Sequence, residues 1–508
     1  MRETEKKDTE IGAFLLRFSF LFFKGGIKIM IYDVVIVGAG VIGGMVAREL
    51  SRYDLSVCLL EKENDVASGA SRANSGIVHG GYDPEIGTLK AKLNTVGVEM
   101  LYEAADALCV PYIKNGSMVC AFGEKEDPAV QELYDRGIAN QIPGLEILSG
   151  EEARAIEPNL STAITSVLHV TNAGIICPYD LTIASVGNAM DNGVELKRNF
   201  AVSAIEKREK GYLVTSASGE SVSAQYILNC AGGYSDKIAG MVGDDYFTII
   251  PRAGEYILLD KTEGSRVKHT IFQVPSEEGK GILVSPTVDG NLLTGPTAMK
   301  VAIPESRDTT PEGLAQVQRL SAKSVPSVNF RQVITSFTGV RSSEKKGDFI
   351  IEESPKAPGV IHVAAIDSPG LTCSVSIAKY AVEQLQKAGL ALTQKESWNG
   401  HREDPHAFHK MSDEEKNAYI QEHPDYGKIV CRCETVSEGE IRAAIRQNPG
   451  ARDIDGVKRR TRSGMGRCQG GFCGPYVMKL IAEELGIPME TVTKNGGESF
   501  MLTGKIGE

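Results

Sequence analysis

The chain has 508 residues, 42% of them hydrophobic and 24% charged, with a formal net charge of −11. That length allows several domains and a large core, and the composition is ordinary for a soluble globular protein. The acidic balance excludes a global attraction to nucleic acid or anionic lipid.

The first apolar run, GAFLLRFSFLFF, is short and is interrupted by Arg17. It falls short of the roughly 20-residue helix that a bilayer requires, and it lacks the small-residue cleavage site of a signal peptide. Lys24-Gly25-Gly26 can be encoded by a bacterial ribosome-binding sequence just ahead of Met30. Translation is therefore expected to begin at Met30, with residues 1–29 a non-native extension.

The segment YDVVIVGAGVIGGMVARELSRYDLSVCLLEKE reads in order as strand, glycine turn, helix and strand. The β-branched run DVVIVG suits a strand buried on both faces. Gly38, Gly40 and Gly43 form G-x-G-x-x-G. The first makes the tight turn, the second lets backbone approach a pyrophosphate, and the third lets helix pack close to strand. The helix N-terminus offers unpaired N–H groups to phosphate. Glu61 ends the second strand about twenty residues on, where an acid binds a ribose hydroxyl. These features together point to a dinucleotide.

A simple nicotinamide enzyme would continue to a third strand. Here a Gly/Ser/Asn-rich loop follows, holding Ser71, Asn74, Ser75 and Gly76, of the kind that wraps a flavin. YILNCAGGYSDKIA, with Ala231 and Gly232, resembles the flavin-contacting segment near the end of many flavoprotein Rossmann domains. HVAAIDSPGLTCSVSIAKYAVEQL, with Gly370, Leu371 and Thr372, resembles their closing strand, turn and helix. Between these islands, IIPRAGEYILLD, GILVSPTVDGNLLTGPTA and ITSFTGVRSSEKKGDFIIEES read as strands of an inserted sheet, with an Asp-Gly hairpin signal.

Six of the ten cysteines (Cys58, Cys109, Cys120, Cys177, Cys230 and Cys373) are scattered, mostly in apolar runs, and read as buried free thiols. The polar stretch after Trp398 reads as a linker with a short exposed helix capped by Ser412, and His401, His406, His409 and His423 as surface residues. Cys431, Cys433, Cys468 and Cys473 instead cluster as C-x-C and C-x4-C near the C-terminus. No secretory context argues for disulfides. The chain is expected in the cytoplasm, with any membrane association running through partner subunits.

The first 390 or so residues resemble the D-amino-acid oxidase superfamily of FAD enzymes. Within it, NSGIVHGGYDPEIGTLKAKL is similar to L-2-hydroxyglutarate dehydrogenases and to the catalytic A subunits of anaerobic glycerol-3-phosphate dehydrogenases. CRCETVSEGEI and KRRTRSGMGRCQGGFC resemble the bacterioferritin-associated-ferredoxin-like (BFD-like) domain, and that fusion is typical of the glycerol-phosphate family.

The resemblance implies an α/β fold: an FAD-binding Rossmann-type domain with an inserted antiparallel-sheet substrate domain, plus a small helical C-terminal [2Fe-2S] domain. The expected organisation is 30–395 for the catalytic unit, 396–427 for the linker, 428–488 for the cluster domain and 489–508 for a tail. It implies FAD and a [2Fe-2S] cluster held by the four clustered cysteines, in a glycine-rich turn whose N–H groups approach the sulfides. A structural zinc site competes for the same thiols, although zinc favours C-x2-C. Lys458, Arg459, Arg460, Arg462 and Arg467 are expected to offset the charge of the thiolates and cluster.

Oxidising a secondary alcohol needs a base and an anion clamp. The family's motifs place His79 as base, Arg341 of G-V-R as clamp, and Arg252 as a second cation. Guanidinium binds phosphate and carboxylate alike, so the substrate is a small phosphorylated or carboxylated alcohol. Ser342 stands where many glycerol-phosphate enzymes carry Pro, which keeps the 2-hydroxy-acid alternative open. A non-catalytic electron-transfer subunit is a third reading. The resemblance also implies a second flavoprotein subunit and a small redox subunit as partners.

Overall fold

The computed structural model describes residues 20–22, 28–275 and 281–504. Most of the expected N-terminal extension therefore lies outside the described residues.

Strand β1 (Lys28–Val37) leads through the glycine turn into helix α1 (Val41–Leu50) and strand β2 (Val57–Leu60). β1 pairs in parallel with β2 on one side and with β3 (Ser221–Asn229) on the other. Along β1, Val34 and Ile36 enter one core while Val35 and Val37 enter another. The period-2 alternation thus buries both faces, as the continuous apolar run requires.

The chain makes two excursions from this sheet, and together they build a second, nine-stranded sheet. The first contributes strands Ser117–Ala121, Leu145–Ser149 and Ser166–Val170. The second contributes β4 (Ile250–Leu259), Thr270–Gln273, Leu283–Pro286, Leu292–Gly295, Met299–Lys300 and β5 (Val333–Ser343). The Asp-Gly hairpin forms, with Gly290 at φ +82° in its turn. The expected antiparallel sheet is in fact mixed, because Thr270–Gln273 pairs in parallel with Ser117–Cys120. That pair is the seam between the two excursions, where no hairpin dictates direction. The strands of the first excursion escaped the sequence reading.

The chain returns as β6 (Val360–Ala364), parallel to β3, and closes with helix α2 (Ser374–Lys387). α1 packs against α2 and against helix Pro178–Asp191. After the linker, whose helix Asp413–Glu422 begins with a Ser412/Glu415 capping box, come α3 (Glu438–Arg446), α4 (Ile454–Thr461) and α5 (Gly474–Leu485). They enclose their own core of Val436, Ile441, Ile445, Val457, Val477, Leu480 and Ile481. No described helix is long and apolar enough to cross a membrane.

Candidate active site and cysteine centre

A cavity of about 940 Å³ runs from the β1–α1 turn into the second sheet, at the upper end of the usual size for a small-molecule site. Gly38, Gly40, Glu61, Ser71, Asn74, Ser75, Ala231, Gly232, Gly370 and Leu371 line it, with His79, Arg252 and Arg341. Gly43, Gly76 and Thr372 stand behind this wall rather than in it. A Cβ on Gly43 would lie 1.8 Å from the carbonyl oxygen of Gly38, so helix and strand touch there. Gly38 has φ +104°, and a Cβ on it would meet Cys230 O at 2.6 Å. Gly40 puts no side chain over the first turn of α1, which lets an anion approach it, although Val41 N already donates to Ser71 Oγ at 2.9 Å.

Glu61 is buried, and its carboxylate accepts from Ala39 N at 2.8 Å and Glu63 N at 3.1 Å. Burial pushes it up to about 7 against these two donors. Two donors leave further lone pairs of the carboxylate for the hydroxyls of a ribose. The glycine cradle, the helix N-terminus behind Gly40 and this acid fit FAD.

The substrate end is built by two strands in register. Arg252 pairs with Arg341, Gly254 with Gly339, and Tyr256 with Phe337. Opposed residues of antiparallel strands share a face. One face of β4–β5 therefore carries two arginines and two aromatics around a glycine pair. A Cβ on Gly254 would crowd Arg341 Nη2 at 3.0 Å, and one on Gly339 would meet Ala73 O at 1.7 Å. The glycines thus make room for the guanidinium and for the flavin loop. The Tyr256 ring stacks on Phe337 with centroids 4.8 Å apart, and its hydroxyl hydrogen-bonds with Arg341 and Ser75. Arg252 is exposed at the rim, whereas Arg341 is half-buried.

His79 is held at its backbone and its ring. Its N–H donates to Thr372 Oγ1 at 2.8 Å, and its carbonyl accepts from Asn94 Nδ2 at 3.0 Å. Its Nε2 lies 3.2 Å from Ser368 Oγ, and its ring stacks near Phe272. The sequence reading missed Ser368 and Tyr256. Tyr256 was within reach, since it lies four residues from Arg252 on the same strand face. Ser368 had only its place in the closing turn.

The four clustered cysteines meet as two pairs. Cys433 Sγ and Cys468 Sγ are 3.7 Å apart, and Cys431 hydrogen-bonds with Cys473. The Cys431 thiol is drawn down to about 5, first by Cys473 and then, against burial, by N–H groups of Gly464 and Glu434 and the Ser463 hydroxyl. Partial burial pushes Cys468 up, but N–H groups of Phe472, Gly470 and Gly471 outweigh it and pull the thiol down. Among the described residues no three Cys, His, Asp or Glu side chains converge on one ion. Two pairs of thiols suit two irons, each with two thiolates, better than a single zinc.

The basic run does not serve the thiolates as expected. Arg459 and Arg460 bind the buried Asp65, at 2.6 and 2.7 Å, in the loop that follows Glu61. Arg462 pairs with Asp289 and Glu434, and Arg467 with Asp260. Lys458 reaches Gln469, at the cysteine turn. Arg459 and Arg460 fasten α4 to the dinucleotide unit, because the Asp65 carboxylate is fully buried and needs a counter-charge. Arg462 and Arg467 reach the partly exposed Asp289 and Asp260 across the boundary. His401, His409 and His423 are exposed as expected. His406 is instead partly buried beside Asp180, which helps to raise its pKa against burial. Of the six scattered cysteines, five are buried and Cys109 is half-buried, all as free thiols.

A family model described as FAD dependent oxidoreductase matches residues 33–384, and one described as BFD-like [2Fe-2S] binding domain matches residues 429–483. A glycerol 3-phosphate dehydrogenase from Caloramator mitchellensis is 46% identical over 473 residues, covering 93% of this chain and 98% of that one. A glycerol 3-phosphate oxidase from Mycoplasma pneumoniae is 35% identical, covering 72% of this chain and 97% of its own. Among solved structures, the dithionite-reduced L-alpha-glycerophosphate oxidase of Mycoplasma pneumoniae with FAD bound superposes with a TM-score of 0.70 at 34% identity. It covers 73% of this chain and 98% of its own.

Proposed function

The chain belongs to the FAD dependent oxidoreductase family, and from that premise we propose that it oxidises sn-glycerol 3-phosphate to dihydroxyacetone phosphate. The carrying observation is the Arg252–Arg341 pair, two opposed cations in a cavity that also holds His79. The relatives named for glycerol 3-phosphate support the same substrate.

FAD, when bound, supplies the hydride acceptor. Gly38, Gly40 and the first turn of α1 would hold its pyrophosphate, Glu61 its ribose, and Ser71, Asn74, Ser75, Ala231, Gly232, Gly370 and Leu371 the rest. Arg341 and Arg252 hold the phosphate of the substrate through charge-assisted hydrogen bonds. Tyr256 fixes the Arg341 guanidinium from the side. Thr372 holds the His79 backbone N–H and Ser368 Oγ lies at its Nε2. His79 takes the hydroxyl proton at Nε2 when the substrate hydroxyl takes the place of Ser368 there. Positioning of this kind converts binding energy at the phosphate into orientation at the reacting carbon.

The separate apolar cores support a catalytic unit over 30–395 and a cluster unit over 428–488, joined by 396–427. A second flavoprotein subunit and a small redox subunit belong to the proposal as electron acceptors, supported by the electron-carrying chemistry of a four-thiolate centre.

The test is anaerobic titration of the purified flavoprotein with sn-glycerol 3-phosphate and, separately, with L-2-hydroxyglutarate. Rapid bleaching of the flavin band by the phosphate alone is the expected result. Bleaching by the hydroxy acid alone would move the chain to the carboxylate branch, and no bleaching by either would leave an electron-transfer subunit.

A further inference from the structure

The cavity and the cysteine centre are joined by a continuous set of contacts. Ser75 and Ile77 line the cavity, and Gly76 between them accepts a hydrogen bond from Ile176 N at 2.8 Å. A Cβ on Gly76 would lie 2.5 Å from Ile176 O, so the two backbones touch. Three residues on, in the first turn of helix Pro178–Asp191, the Tyr179 hydroxyl donates across the domain boundary to Met465 Sδ at 3.6 Å. Gly466 follows Met465. A Cβ there would stand 2.4 Å from Cys433 Cβ and 3.5 Å from its Sγ.

Every step of this series is a covalent bond, a hydrogen bond or a van der Waals contact. Burial holds the Tyr179 hydroxyl well above the usual phenol range, so it stays protonated and keeps its donor role. Met465 contributes a polarizable sulfur. The boundary is pinned on either side by Asp65 with Arg459 and Arg460, and by Arg462 with Asp289. The contact therefore has a fixed geometry.

We propose that the Tyr179–Met465 contact is the bridge over which electrons cross from the dinucleotide cavity to the four-cysteine centre. The inference rests on the oxidoreductase reading above. Oxidation of the alcohol carbon delivers two electrons and one proton to the cavity as hydride, while the hydroxyl proton goes to His79. A [2Fe-2S] centre takes one electron at a time. The pair therefore leaves in two successive single-electron transfers, each passed to a one-electron carrier protein before the next, and both protons return to solvent. Tyr179 and Met465 are positioning residues in this scheme. They carry the coupling and are not themselves oxidised.

The test uses the full chain with both cofactors, without oxygen or substrate. With EDTA present as sacrificial electron donor, a light flash reduces the bound flavin, and cluster reduction is followed by visible absorbance and by the paramagnetic signal of the reduced cluster. Met465→Ala is expected to slow cluster reduction about tenfold or more, with Tyr179→Phe slowing it less. Met465→Leu keeps the packing and removes only the sulfur, and it is expected to fall between wild type and Met465→Ala. Wild-type rates in Met465→Leu and Tyr179→Phe would overturn the proposal, as would a wild-type cluster that the flash never reduces. Because the flash needs no substrate, failure of glycerol 3-phosphate to bleach the flavin would count against the proposed substrate alone.

Discussion

Arg252 and Arg341 oppose each other across two antiparallel strands, where like charges repel unless an anion lies between them. The pair is thus costly to the free protein and useful to a bound phosphate. Arg341 is the half-buried member with Tyr256 beside it, and Arg252 stands exposed at the rim. Charge-assisted hydrogen bonds contribute about 1.5–3 kcal/mol each. Arg341→Ala is therefore expected to lower kcat/KM for glycerol 3-phosphate about ten- to hundredfold, and Arg252→Ala to lower it less. Steady-state kinetics of the two variants would check the ranking, and the reverse order would place the phosphate at the rim. At this scale the sequence was legible wherever a residue sat inside a motif, as His79 and Arg341 do. It was silent on Ser368, whose role arises only because the closing turn comes back to the His79 ring.

At the scale of elements, close approach is decided by glycines. The β1–α1 turn tolerates no side chain at Gly43, where a Cβ would stand 1.8 Å from a backbone oxygen. Backbone cannot yield as a flexible side chain can, and overpacking typically costs about 1–3 kcal/mol. Gly43→Ala is expected to yield protein that has lost its flavin band, with the cluster absorbance of the C-terminal unit retained. Visible spectra of the purified variant would show it, and a fully flavinated variant would refute the close-packing role. The glycine motif was readable because its spacing implies strand, turn and helix at once. The Gly254–Gly339 pair was not, since its value depends on a register between strands that are some eighty residues apart.

At the scale of the molecule, one carboxylate ties the two units together. Asp65 is fully buried and meets both Arg459 and Arg460. Burial alone would raise its pKa, but the two guanidinium groups hold it well below the usual carboxylate range. A carboxyl whose folded pKa is depressed contributes stability above its unfolded value, near 3.8, and loses it as pH falls through the folded one. Docking of α4 through this group should therefore persist through mildly acidic solution and fail only in strong acid. Asp65→Asn leaves two buried cations without a counter-charge, a change that commonly costs about 3–5 kcal/mol. The expected outcome is earlier thermal unfolding and faster proteolysis in the segment between the two units. An unchanged melting temperature and digestion pattern would show that the other interdomain pairs suffice.

The sequence by itself determined what local patterning can carry. It gave the alternating strands, the glycine turn with its terminal acid, the C-x-C and C-x4-C thiols, and the alignment of His79, Arg252 and Arg341 with known motifs. Within each motif the residues are close in the chain, so spacing encodes the local geometry, while His79, Arg252 and Arg341 were placed by the family resemblance. Only the tertiary structure decided how distant segments meet. The second sheet merges two excursions across a parallel seam. Arg460 and Arg462 of the basic run near the cysteines bind Asp65 and Asp289 instead of the thiolates. Those outcomes depend on which charges become buried together, and burial is a property of the packed molecule rather than of any stretch of its sequence.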